Sequence, residues 1–163
     1  MNKNGVEFDV RDMTIYRGYI IDSNTYYDVL KRLDTLGESG EDVSLYIREA
    51  KKYLVGNLFR KALEISRTMD FTPVKDADGN YQYHVDSTKL ADLGDVLDEF
   101  EVHGKEYGIP KPKLDRVRDK LNRVIERRKN HYIGLHKMYS GENKSNGEKK
   151  NGNGNGHENG GGE

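Results

Sequence analysis

The sequence of residues 41–69 is EDVSLYIREAKKYLVGNLFRKALEISRTM, and the predicted fold depends on the apolar pattern within it. Apolar side chains recur along this stretch at helical spacing, and a second apolar face accompanies the first from Leu54 onward. The first face comprises Val43, Ile47, Ala50, Leu54, Leu58 and Ile65, and the second comprises Val55, Phe59 and Leu63. A helix that is apolar on two sides is usually central, with other elements packed on both. We therefore predict a central helix from about Glu41 to Met69, with Gly56 as a kink or a point of close packing.

Three further helices are predicted around this central one. Asp22 and Asp86 supply N-cap chemistry for two of them, and Gly37 and Gly104 are placed to end the same two. The last helix follows a proline-containing break at 108–112. The three predicted helices span about 25–36, 88–103 and 113–138.

Alternating apolar residues predict short strands in two places. Residues 6–10 and 13–21 form the first candidate hairpin, and residues 71–74 and 81–85 form the second, around Asp78-Gly79. The predicted fold class is α+β and predominantly helical, with four helices, one or two small β-hairpins and a disordered C-terminal tail. The tail is 140–163, which contains no Leu, Ile, Val, Phe, Tyr, Met or Ala. Residues 1–139 then form a single globular domain.

The composition of the 163 residues excludes several classes of protein. Cys is absent, so there is no disulfide framework, thiolate zinc site, iron–sulfur cluster or cysteine nucleophile. No apolar run approaches the roughly 20 residues that cross a bilayer, and the first ten residues lack the apolar region of a signal peptide. We predict a cytoplasmic protein. No catalytic motif occurs either, which favours a non-enzymatic binding protein without metal or cofactor.

The net charge of -1 conceals two unequal parts. Residues 86–106 carry seven acids against two bases, and residues 111–137 carry ten bases against three acids. An acidic helix is thus followed directly by a basic one.

The basic helix places four cations in one arc of about 60° and its apolar residues in another. The four are Arg116, Lys120, Arg123 and Arg127, and together they are called the basic ridge below. Lys and Arg at this spacing can meet successive backbone phosphates of a nucleic acid. Lys129 and Tyr132, together with His131 and Lys137, extend the predicted surface, and Tyr132 offers a ring for base stacking.

Two structural alternatives stand beside that interpretation. The ridge is either a solvated face balanced by neighbouring acids, or it pairs with the preceding acidic helix. Arg128 sharpens the question because it falls in the apolar arc. Either the helix has left the core by that point, or Arg128 faces a partner.

Three functional hypotheses follow from these patterns. The first is single-stranded or non-specific nucleic-acid binding through the basic ridge, which a homodimer would double. The second is a protein-binding adaptor or inhibitor, such as an accessory protein of a virus or mobile element, that uses tyrosine-bearing hairpins or the acidic surface at 86–106. The third is an enzyme that uses Asp95, Glu99 and His103, which share a helical face.

Overall fold

A computed structural model describes residue 11 and residues 16–140 of the chain. In that part, four helices and one antiparallel hairpin confirm a predominantly helical α+β fold. The elements are α1 (Ser23–Glu38), α2 (Ser44–Arg67), β1 (Phe71–Lys75), β2 (Tyr81–Val85), α3 (Ser87–Tyr107) and α4 (Lys111–Ser140). The predicted tail at 140–163 lies outside the described residues, apart from Ser140.

Helix α2 is the central element, as its two apolar faces predict. It packs against α1, α3 and α4, and it contributes Ala50, Leu54 and Leu58 to the core with no exposed surface. The predicted close packing at Gly56 is wrong, because a Cβ built there meets nothing within 4 Å. Gly56 faces open space on the side of α2 opposite the core.

The predicted hairpin around Asp78-Gly79 is confirmed. Strand β1 pairs with β2 from Phe71 opposite Val85 to Lys75 opposite Tyr81. The Asp76 carboxylate accepts hydrogen bonds from the backbone N–H groups of Asp78 and Asn80, at 3.0 and 2.9 Å, and so closes the turn. Gly79 has a φ of 85°, which a residue without Cβ adopts easily.

The other predicted hairpin is wrong in its described portion. Residues 6–10 and 12–15 lie outside the described part of the chain. Tyr16 is helical, and a turn follows at 17–19, where a strand over 13–21 was predicted. The backbone N–H of Ile20 donates to the Tyr16 carbonyl at 3.0 Å. Burial of Tyr16 and Ile20 in the core explains the apolar character that resembled a strand.

Two helices continue past the glycines that were predicted to end them. Gly37 lies inside α1 and Gly104 inside α3. A Cβ on Gly104 would lie 3.1 Å from Leu114 Cδ2, so this glycine allows the start of α4 to approach α3 closely. Helix α3 ends instead at Gly108, whose φ of 104° is left-handed.

Candidate nucleic-acid interface

The four side chains of the basic ridge are exposed on one face of α4. The opposite face holds Leu114 and Leu121, which are buried against the rest of the fold. At 1.5 Å of rise per residue, the ridge extends over roughly 16 Å of helix. The helix therefore presents a line of cations to the exterior while the core fixes its orientation.

None of the four ridge cations makes an ion pair with any described residue. The Lys120 ammonium lies 5.6 Å from the centre of the Phe59 ring, and Arg123 Nε donates weakly to the Asp119 carbonyl at 3.4 Å. Both contacts leave most of the charged group open. Among the described residues, the four positive charges therefore have no carboxylate in direct contact, although Asp119 and Glu126 lie in the neighbouring arc of the same helix.

The acidic helix α3 does pair with α4, but through a different residue. Arg118 forms an ion pair with Glu101 and approaches Asp98 at 3.8 Å. The hydrogen bond from the Arg118 guanidinium lowers the pKa of Glu101 below its usual range. The alternative in which the basic ridge itself pairs with α3 is therefore wrong.

Lys129 and Tyr132 lie apart from the ridge. On a helical wheel they project about 140° and 160° away from Arg116, and both are half-buried. The Tyr132 hydroxyl donates to Asp70 Oδ1 at 2.7 Å, and its ring packs 5.9 Å from that of Phe71. Tyr132 thus has internal partners for both its hydroxyl and its ring. His131 and Lys137, by contrast, are exposed on the flanks of the ridge.

Arg128 has an internal partner, which neither sequence alternative included. Its Nε donates to the Met69 carbonyl at 3.0 Å, just beyond the end of α2. Its guanidinium also lies 5.1 Å from the Tyr132 ring centre and 3.9 Å from Asp70 Oδ1. Arg128 therefore fastens the chain that leaves α2 to the middle of α4. The hydrogen bonds from Lys89 and Tyr132 lower the pKa of Asp70.

A polar cluster around His103 is the most enzyme-like arrangement in the described residues. We call it the His103 cluster, and it comprises Ser23, Lys51, Glu99, His103 and Glu106. Ser23 Oγ lies 2.9 Å from Glu99 Oε1 and 3.0 Å from His103 Nε2. The Lys51 ammonium lies 2.7 Å from His103 Nδ1 and is ion-paired with Glu106.

The direction of these hydrogen bonds opposes catalysis by Ser23. An ammonium group can only donate, so Lys51 requires His103 Nδ1 to accept. The imidazole proton then sits on Nε2 and is donated to Ser23 Oγ, whose own proton goes to Glu99. A histidine that donates to a serine cannot act as its general base. The cluster is best explained as a satisfied polar network that joins α1, α2 and α3.

Burial and a neighbouring positive charge favour the neutral form of the His103 imidazole. Only 5% of this residue is exposed. Burial, followed by the nearby Lys51 ammonium, lowers the pKa of His103. Among residues 11 and 16–140, no group of three His, Asp or Glu side chains could hold a metal ion, so Asp95, Glu99 and His103 do not form a metal site.

The tyrosines of the described hairpin contact α4. The Tyr83 hydroxyl lies 2.9 Å from His136 Nδ1, and the Tyr81 ring lies 4.4 Å from the His136 ring. Tyr16, predicted on the other hairpin, is fully buried. These rings therefore pack against other parts of the fold, although 40% of Tyr81 remains exposed.

A second basic surface lies on α2 and was not predicted from the sequence. One open cleft is lined by three cationic residues, Arg17, Lys52 and Arg60. Arg17 precedes α1, whereas Lys52 and Arg60 lie eight residues apart in α2. The only sequence signal is the glycine at position 56, which interrupts a strongly helical stretch between Lys52 and Arg60.

Comparison of the chain with protein-family models, curated proteins and solved structures gives no match. Among the described helices, none has both the length and the apolar character needed to cross a membrane. The assignment of function therefore depends on the geometry and charge of the surface.

Proposed function

We propose that this protein is a non-enzymatic, cytoplasmic binding protein that contacts the phosphate backbone of nucleic acid through the basic ridge. One observation carries the proposal: the four ridge cations are exposed on one helix face and have no carboxylate partner among the described residues. The expected binding is single-stranded or non-specific, because cations that meet phosphates carry no base information.

The arrangement of charge agrees with such a role. An exposed line of cations about 16 Å long is commensurate with several phosphates of an extended strand. Arg118 and Arg128, whose charges are used inside the fold, keep α4 in place while the ridge remains available. The modest number of contacts predicts weak, strongly salt-dependent association.

The test is the affinity for a labelled single-stranded oligonucleotide at low salt, measured by fluorescence anisotropy. The ridge variant changes all four ridge cations to Gln. A matched control variant removes the same charge from four exposed lysines elsewhere. They are Lys31, Lys61, Lys75 and Lys105.

The ridge variant should lose about 100-fold in affinity, from four exposed charge contacts of about 0.7 kcal/mol each. The control variant should lose much less, because its lysines do not share a face. Equal losses in the two variants would show that net charge alone governs binding, and the ridge would then have no special role.

A second candidate function, protein binding, is favoured by the outer face of α3. Val102 is 56% exposed, and the exposed carboxylates of Asp95 and Asp98 lie on the same side of α3, within about 40° of Val102 on a helical wheel. An apolar side chain surrounded by acids suits a partner with a basic rim. Capture of a protein that persists after nuclease treatment, and that is lost with Asp95→Lys and Asp98→Lys, would support this candidate.

A further inference from the structure

An open cleft lies on the outer side of α2, beside the short segment that precedes α1. Its volume is about 300 Å³, and its described lining consists of Arg17, Lys52, Tyr53, Gly56, Asn57 and Arg60. This volume lies at the lower end of the range for small-molecule sites. The cleft is larger than a single phosphate group and leaves room for an attached ring.

The side chain of Asn57 organises the cleft. Its Nδ2 donates to the carbonyls of Arg17 and Ile20, both at 2.7 Å, and so fixes the backbone that carries Arg17. Its Oδ1 accepts from Arg60 Nη1 at 3.1 Å. One amide therefore holds two of the cationic residues in relation to each other, which lowers the entropy cost of binding an anion between them.

Gly56 keeps the cleft open. It lies within α2, where glycine is a poor helix former, and a Cβ there would meet nothing within 4 Å. Packing does not require glycine at this position, in contrast to Gly104. Any larger residue at position 56 would extend into the space between Lys52 and Arg60.

The electrostatic character of the cleft is positive. Three of its described lining residues are cations and none is an acid. The acids nearest along α2, Glu49 and Glu64, lie about one turn to either side, and neither forms an ion pair with a described cation of the cleft. Arginine pairs well with phosphate because its planar guanidinium can donate two parallel hydrogen bonds.

The cleft lies on α2, which packs against the helix that carries the basic ridge. Helices α2 and α4 run parallel, since Lys120 lies beside Phe59 and Arg128 lies beside Met69. Phe59 is one turn from Gly56, and Arg116 is one turn before Lys120, so the cleft and the start of the ridge lie at a similar height along the two helices. Neither Phe59 nor Lys120 is among the described residues that line the cleft.

We propose that the cleft binds the phosphate group of a nucleotide, with Arg17, Lys52 and Arg60 as the phosphate ligands. Tyr53 contributes a hydroxyl donor and an aromatic wall for the attached nucleoside. The nucleotide has two sources with this chemistry, a free mononucleotide or the phosphorylated end of a strand. The cleft has its own supporting geometry, so the site does not depend on the ridge.

The test uses NMR titration of the full chain, with the amide signals of Gly56 and its neighbours in α2 as the readout. Three probes compare the chemistry of the ligand: adenosine, adenosine 5′-monophosphate and inorganic phosphate. Two further probes are a short oligonucleotide with a 5′-phosphate and the same oligonucleotide without it. Saturable shifts around the cleft that require both the phosphate and the nucleoside are expected.

Two cleft variants and one control separate binding from folding. Changing Arg17, Lys52 and Arg60 together to Gln should weaken binding about 30-fold, whereas Lys61→Gln on another face of α2 should not. Gly56→Leu removes glycine's penalty in a helix, and its Cβ would meet nothing within 4 Å, so the rest of its side chain should fill the cleft and abolish binding. Circular dichroism and urea unfolding of this variant check that the fold remains intact.

The outcomes distinguish the two sources and the two proposals. Binding of adenosine 5′-monophosphate supports a free nucleotide, and a preference only for the 5′-phosphorylated oligonucleotide supports a strand end. The basic-ridge variant should retain the cleft signal in the first case even if strand binding is lost. Absence of a phosphate-dependent shift with every probe, or shifts that persist in both cleft variants, would overturn the site.

Discussion

Lys51 and Lys120 lie on neighbouring helices, and their ammonium groups meet opposite surroundings. Lys51 is 12% exposed at its side chain and is enclosed by His103, Glu106 and the ring of Tyr26. Lys120 is exposed and makes no ion pair with a described residue, and its ammonium lies 5.6 Å from the centre of the Phe59 ring. The first cation completes a network inside the fold, whereas the second has its charge available for a ligand.

The comparison separates charged residues that stabilise the fold from those that can bind. A cation with a carboxylate partner, such as Lys51 or Arg118, already has its charge compensated. Its removal should therefore cost folding free energy. A cation without such a partner contributes little to folding, and its removal should be seen only in binding.

Lys51→Met should give the largest loss, about 2 kcal/mol in the free energy of unfolding. The substitution keeps the aliphatic bulk but removes the donor to the buried His103 Nδ1 and the partner of Glu106. The estimate is below that for a fully buried pair because Glu106 is largely exposed. Urea unfolding measures the change, and Lys105→Met on the exposed side of α3 is the control. A loss no greater than that of the control would show that Lys51 does not stabilise the fold.

Acidification should destabilise the protein through His103, by less than the loss of Lys51. The pKa of His103 in the folded state lies below its usual 6.5, because of burial and the Lys51 ammonium. The unfolded chain therefore takes up this proton at a higher pH than the folded chain. The stability that His103 contributes is present above pH 6.5 and is lost as the pH falls below that value.

Unfolding free energies between pH 7.5 and 5.5 test this sign. The slope should become shallower in His103→Asn and should stay unchanged in His131→Gln, which alters an exposed histidine. An unchanged slope in His103→Asn would show that other groups carry the pH dependence.

Gly56→Ala should stabilise the protein by about 0.5–1 kcal/mol, since alanine is the better helix former and the added Cβ meets open space. Gly94→Ala, which also faces open space, should give a similar gain. Gly104→Ala should give a loss instead, because its Cβ would crowd the buried Leu114. Thermal unfolding of the three variants compares them directly, and a loss at position 56 would show that packing requires the glycine.

The main features of the fold can be predicted from local pattern. Two apolar faces identify α2 as central, and Asp78-Gly79 identifies the hairpin. The ends of the helices are harder to predict, because a glycine can either end a helix or lie within one to allow close packing. Gly108 ends α3 through its backbone conformation, whereas Gly104 lies inside α3 to admit Leu114. The sequence cannot distinguish these uses until the position of α4 is known.

The candidate site, like the fold, can be predicted from local pattern only in part. The exposure of the basic ridge follows from helical periodicity on one element. The roles of Arg128 and Tyr132 depend on Met69 and Asp70, some 60 residues away, and local pattern does not contain that contact. The cleft was missed for the same reason, since Asn57 brings Arg17 to α2 across 40 residues.

The smallest effect on stability is expected for the basic-ridge variant. Replacement of all four ridge cations by Gln should change the free energy of unfolding by no more than about 0.5 kcal/mol in either direction. Urea unfolding measures this, alongside the control set of four lysines. A loss above about 2 kcal/mol in the free energy of unfolding would show that the ridge cations, like Lys51, stabilise the fold.

The salt dependence of oligonucleotide binding measures how many phosphates the basic ridge contacts. The logarithm of the affinity for a single strand, measured against the logarithm of salt concentration, falls with a slope of about -0.7 per phosphate neutralised. Loss of the four ridge contacts should therefore make the slope shallower by roughly 3, with little change in the control set. A slope that is the same in the wild-type protein and the ridge variant would show that the basic ridge does not contact phosphates.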